Sequence, residues 1–168
     1  SCAPASWSPS RGEGAGRAMN FRIDVVMPAD AAAIWDVFFD VARIARLIPG
    51  CENVVETSPL AEYSAVMRQK IGPFRLDVPT SIRVEERDAP RRVSVRATGR
   101  DRITGTTLDV LLAVTLEGVA EGGTRLGVDS TLQVAGRLAT LGYPVVKKKS
   151  EELFAEFEKR LRAELGIA

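Results

Sequence analysis

The sequence predicts an α+β fold: a curved antiparallel sheet of about seven strands around a long C-terminal helix, with two short helices after the first strand. Three observations predict it. From Cys51 onward, apolar residues alternate at period two for about eighty residues, the signature of strands with one buried face. Turn residues such as Gly72-Pro73 and Glu121-Gly122-Gly123 close the alternating runs at hairpin spacing, so consecutive strands form a meander. The last segment then switches to a helical period with one apolar stripe, and it is the only element long enough to cover the face that such a sheet leaves apolar.

Taken in order, residues 1–18 (SCAPASWSPSRGEGAGRA) lack periodicity and read as an unordered extension ahead of a single domain over 19–168, with Met19 as a natural start. They hold no apolar core of the length that a signal peptide needs, and Cys2 and Trp7 receive no role. Phe21, Ile23 and Val25 alternate with Arg22 and Asp24 in the first strand, which Met27-Pro28 ends. Asp30 can cap a helix over 30–40 whose apolar face is Ile34, Trp35, Phe38 and Phe39. A second short helix carries Val41, Ile44, Ala45 and Ile48 and stops at Pro49-Gly50. Six strands follow, beginning with CENVVETS at 51–58. In the third of these, Phe74 to Glu85, Pro79 has no N–H to donate, which places that stretch locally at a sheet edge or a bulge. Gly136 breaks the strand pattern. Residues 138–165 read as one helix, kinked at Pro144, with Val146, Leu153, Phe157, Leu161 and Leu165 on its inner stripe.

Composition bounds the function. The chain has 168 residues, of which 45% are hydrophobic and 27% charged, an ordinary composition for one globular domain. A net charge of +1 and 6% aromatics supply neither the field nor the stacking surface of a nucleic-acid reader, so nucleic acid is not expected as a partner. No apolar run reaches the ~20 residues of a membrane helix. The two cysteines, Cys2 and Cys51, lie far apart, which fits a reducing compartment rather than a structural disulfide and points to the cytoplasm. Lys147, Lys148 and Lys149 read as a solvated helix face.

The count of histidines is zero. That excludes Ser-His and Cys-His catalysis and His-bearing metal sites. Cys51 then has neither an imidazole nor a second thiol at metal spacing, and reads as a small buried side chain. Asp77, Asp101, Asp109 and Asp129 alternate away from the apolar set, which argues against buried acid-base chemistry. No catalytic residue, metal or cofactor is assigned, and the chain is not read as an enzyme.

This layout resembles the helix-grip (SRPBCC) superfamily, which includes START lipid-transfer domains, the major birch-pollen allergen and polyketide cyclases. Three stretches are similar to the CoxG family, the G subunit of carbon monoxide dehydrogenase: AIWDVFFDVARIARLIPGCE at 33–52, KIGPF at 70–74 and VAGRLATLG at 134–142. In that family a helix with Trp, an Ile-Pro-Gly-Cys-Glu turn, a Val-Gly-Pro hairpin and a Gly-Lys-Leu-x-x-Leu-Gly segment recur in this order. The resemblance covers about residues 19–165. One departure lies at 99–114, GRDRITGTTLDVLLAV, where the family is usually Gly-rich. The resemblance implies a non-catalytic accessory protein of a molybdenum-containing dehydrogenase of the carbon monoxide type. It also implies membrane recruitment at the inner face of the cytoplasmic membrane, or carriage of a lipophilic quinone or lipid. The alternatives are an enzyme of the same superfamily, such as a cyclase or hydratase, and a protein-interaction subunit with a dry core.

A curved sheet gripping a helix leaves a gap in which small ligands bind. The alternation places Tyr63, Met67, Gln69, Phe74, Leu76, Val78, Thr80, Val95, Leu108, Val110, Leu112, Val128, Ser130 and Leu132 on its sheet wall. Leu141, Val145, Phe154 and Phe157 are placed on its helix wall. Tyr63, Gln69, Thr80 and Ser130 are the polar members, able to meet a carbonyl in an otherwise apolar site. Each residue on these walls could equally serve as core filling.

Overall fold

A computed structural model of the chain describes residues 6–10 and 16–167. The strands are β1 (Ser6–Ser10), β2 (Gly16–Met27), β3 (Cys51–Ser58), β4 (Glu62–Ile71), β5 (Phe74–Asp88), β6 (Arg92–Arg100), β7 (Thr107–Gly118) and β8 (Thr124–Ala135). Helices α1 (Ala31–Phe38) and α2 (Val41–Leu47) lie between β2 and β3, and α3 (Tyr143–Glu164) follows a short 3₁₀ turn (Arg137–Leu141).

All strands form one antiparallel sheet in the order β1-β2-β8-β7-β6-β5-β4-β3. β3 to β8 are the meander that the hairpin spacing predicts, and β2 returns to pair with β8 over its whole length, from Gly16↔Ala135 to Met27↔Thr124. Because β2 and β3 lie far apart in the sheet, the chain must cross between them, and α1 and α2 make that crossing. Their starts are fixed locally. Asp30 accepts from the Ala33 N–H at 2.7 Å, and Asp40 from the Arg43 N–H at 3.3 Å, satisfying donors that a first helical turn leaves free.

The Pro49-Gly50 turn is tied to β4. Gly50 has φ +77°, and a Cβ there would run into the Arg68 carbonyl. The Arg68 N–H donates to the Gly50 carbonyl at 2.8 Å, and the Gln69 side chain donates to the Pro49 carbonyl at 2.6 Å. The turn needs both a left-handed φ and close backbone approach, so glycine is required.

Two expectations are corrected. Ser6–Ser10 forms a strand on the edge of β2, and β2 itself begins at Gly16, so part of residues 1–18 is ordered sheet. Strand pairing there uses backbone groups along a free edge, which side-chain periodicity does not report. The long helix starts at Tyr143 rather than 138. Gly142, at φ +85°, separates it from the 3₁₀ turn, and Pro144 sits in the first turn, where its missing N–H has no helical partner to lose.

Pro79 occupies a local edge inside the sheet. It pairs with Val66 on β4, while the β5–β6 ladder stops one residue away at Thr80↔Gly99. Beyond that point the Asp77 N–H has no strand to bond to, and the Asp101 carboxylate accepts from it at 3.3 Å.

The concave face carries two buried clusters. One gathers Val25, Met27, Val114, Leu126 and Val128 beneath Ile34 and Val37 of α1, with Leu161 of α3. The other gathers Met19, Leu76, Val78 and Val134 with Leu138 and Val146. α3 runs from the second cluster to the first.

Candidate functional site: a groove between the sheet and the long helix

Strand register puts all fourteen predicted sheet positions on one face. Leu112 pairs with Ser130 and Val95, Val110 with Leu132 and Ala97, Thr80 with Ala65, and Met67 with Val78. Burial then divides them. Leu76, Val78 and Val128 belong to the closed clusters. Tyr63, Met67, Thr80, Val95, Val110, Leu112 and Leu132 face the same way yet remain partly exposed. A helix packed tightly on a sheet would bury these positions as completely as those at its ends. The inward positions beneath the middle of α3 are thus less completely covered than those at its two ends, although Val95 and Leu112 pack against the first cluster and Met67 and Leu132 against the second.

The helix wall shows the same division. On the inner stripe Val146 is 5% exposed and Leu161 0%, while Ser150, Leu153, Phe154 and Phe157 between them are only half-buried. Phe154 stacks on Phe21 at 4.5 Å between ring centroids, and Phe157 lies against Phe38 of α1 at 6.1 Å. These pairs anchor α3 to β2 and α1 and fix the height of the gap.

Two predicted positions are placed differently, and three residues were missed. Val145 is 38% exposed, because the inner stripe of α3 runs through its neighbour Val146 and one residue along a helix turns the side chain by about 100°. Leu141 ends the 3₁₀ turn and packs with Phe74 on the second cluster, closing that end of the groove instead of lining it. The sequence reading missed Ile82 and Ala97, which pair with each other on the inward face, and Ser150. Ile82 and Ala97 carry the alternation signal. Ser150 falls on the helical period between Val146 and Phe154, but an apolar count passes over a serine.

The polar residues are not equivalent. The Tyr63 hydroxyl is held by Glu56; burial and that carboxylate push its pKa up. Gln69 donates to the Pro49 carbonyl and Thr80 to the Val78 carbonyl at 3.0 Å. Ser130 is 7% exposed, and its hydroxyl has no partner among the described residues.

No acid-base set lines the groove among the described residues. Asp109 and Asp129 are engaged by Arg96 and Arg22, each at 2.7 Å, on the outer face, and Asp77 lies 3.6 Å from Arg68. Asp101 is buried, at 2% exposure, but in the β6–β7 turn. Burial alone would raise its pKa; the N–H groups of Ile103, Asp77 and Thr104 and the Thr104 hydroxyl outweigh burial and hold it below the ordinary carboxylate range. Cys51 pairs with Met67 at the end of β3 as a free thiol. Cys51 is half-buried; burial, then the neighbouring Glu52, pushes its pKa up, which disfavours the thiolate. Among the described residues no group of three or more His, Cys, Asp or Glu side chains could hold a metal. No described helix is long and apolar enough to cross a membrane. A depression of about 510 Å³ is lined by Pro79, Arg100 and Arg102.

Known structures share this architecture. A conserved protein from Geobacillus kaustophilus superposes with a TM-score of 0.80 at 16% identity, covering 88% of this chain and 95% of that one. The Mll3558 protein from Rhizobium loti gives 0.65 at 17% identity, covering 96% and 99%. The allergen Ara h 8.0201 gives 0.56 at 19% identity, covering 87% and 99%. At these identities the likeness establishes the helix-grip fold and nothing narrower. A search of curated protein sequences gives no match. The sequence model of one family, CoxG, described as the G subunit of carbon monoxide dehydrogenase, matches residues 21–166, which takes in the buried residues of both clusters except Met19, and the Pro49-Gly50 turn. With most of its length matched and the helix-grip fold in place, the chain belongs to the CoxG family.

Proposed function

We propose that the protein is a non-catalytic carrier that holds a lipophilic small molecule, of quinone or lipid type, in the groove between the sheet and α3. In this reading it serves a molybdenum-containing dehydrogenase of the carbon monoxide type in the cytoplasm, delivering its cargo or bringing the enzyme to the inner face of the membrane. The family description supports the enzyme partner. One observation carries the cargo. The inner stripe of α3 is buried at Val146 and Leu161 and only half-buried at Ser150, Leu153, Phe154 and Phe157 between them. A fold that needed only a core would close the middle as it closes the ends. The walls are mostly apolar, with few polar groups, as small-molecule pockets are.

A thermal-shift series with quinones of increasing side-chain length tests this. A ligand that binds only the folded state at a hundred times its Kd adds ~2.7 kcal/mol. For a domain of this size that is a rise of roughly 5–10 °C in Tm. The shift should grow with chain length until the groove is filled and then level off. No shift with any quinone or neutral lipid would leave a dry interaction subunit as the reading.

A further inference from the structure

We propose that Ser130 is the polar anchor of the groove and that it selects ligands whose buried end is an uncharged, oxygen-bearing group, a ring carbonyl or a hydroxyl. The inference rests on the reading of the groove as a ligand site and adds which end of the ligand enters and what chemistry it carries.

Ser130 lies on the inward face of β8, paired in register with Phe21 on one side and Leu112 on the other. It is 7% exposed, and no described residue bonds to its hydroxyl. Native proteins seldom leave a buried hydroxyl without a partner, because it loses its water and gains nothing in return. The other polar groups of the wall are already committed: Gln69 to Pro49, Thr80 to Val78 and Tyr63 to Glu56. Among the described polar residues of the sheet wall, Ser130 is therefore the free donor and acceptor.

The charge of the ligand follows from its surroundings. The inward positions around Ser130 are Phe21, Val110, Leu112, Val128 and Leu132, none of them charged. A carboxylate or phosphate pushed against Ser130 would lose its hydration with no cation to offset the loss. A ketone or alcohol loses far less and recovers it in one hydrogen bond. Ser150, on the inner stripe of α3, is another hydroxyl without a described partner, but it is only half-buried.

The test measures binding of decylubiquinone, dodecylbenzene and dodecanoate to the parent, Ser130→Ala and Ser150→Ala proteins at neutral pH. The proposal expects Ser130→Ala to melt no lower than the parent, to bind decylubiquinone about 10-fold more weakly, the worth of one good hydrogen bond, and to bind dodecylbenzene as the parent does. Dodecanoate should bind the parent more weakly than decylubiquinone does. Equal decylubiquinone affinity in parent and Ser130→Ala overturns the anchor while leaving the groove reading intact. A loss confined to Ser150→Ala does the same and moves the anchor to the helix. Dodecanoate binding more tightly than decylubiquinone overturns the selection for a neutral group. Failure of all three compounds to bind the parent overturns the groove reading itself, and the anchor with it.

Discussion

Two ionisable residues show how local chemistry serves the fold here. Cys51 was legible only in part: the sequence reading made it a buried side chain, and the structure leaves it half-buried at the end of β3, with its pKa raised by burial and by Glu52. Asp101 was not legible. Its alternation phase assigns it to the outer face, yet it is 2% exposed, because it bonds to a strand end 24 residues away that no local pattern connects to it. Its pKa is lowered, so the stability it adds is present above the unfolded carboxylate value and is lost as pH falls through the folded one. Asp101→Asn should remove ~1–3 kcal/mol at neutral pH, the usual cost of disturbing a buried charged acceptor. The variant should also lose less further stability than the parent on acidification below the ordinary carboxylate range, where the unfolded chain takes up the proton that the folded Asp101 resists. Urea melts at pH 7 and pH 3 measure both. A difference between parent and variant that stayed the same at the two pH values would show that the charge of Asp101 plays no part.

At the scale of the element, α3 does two jobs along one stripe. Leu161 is 0% exposed and seals the first cluster, so Leu161→Ala should cost ~2–5 kcal/mol. Phe157, one turn earlier, is half-buried and faces the open band. Phe157→Ala should fall below the ~3–5 kcal/mol of a fully buried ring and should change the preferred ligand chain length instead. Chemical denaturation together with the quinone series separates the two effects; equal losses and an unchanged preference would make Phe157 ordinary core. The strands were legible because alternation is local. The start of α3 was not: Gly136 and Gly142, at φ +86° and +85°, break the segment into a turn and a helix, and a hydrophobic stripe carries no sign of that break. Nor was β1, whose pairing depends on the free edge of β2 rather than on an apolar face of its own.

The whole molecule is a sheet closed onto one helix at two places. β2 pairing with β8 joins the second strand to the last, and α1 and α2 carry the chain to the far edge, so the concave face is complete before α3 is laid across it. The fold class and the inward face could be read from the sequence, since both follow from period and turn spacing. Which inward residues stay uncovered could not. Leu112 and Val114 have the same phase on the same strand, and only the contact of α1 and Leu161 with the end of the sheet leaves Val114 at 8% and Leu112 partly exposed. The central claim is that this uncovered band holds a lipophilic molecule. Native mass spectrometry of the protein after incubation with a lipid and quinone extract tests it most directly, with Leu112→Trp as the comparison, since the larger ring fills the band. The account predicts a one-to-one adduct of a neutral lipophilic mass on the parent and its loss from a folded Leu112→Trp protein. No adduct on the parent, or an adduct that persists when the band is filled, would contradict it.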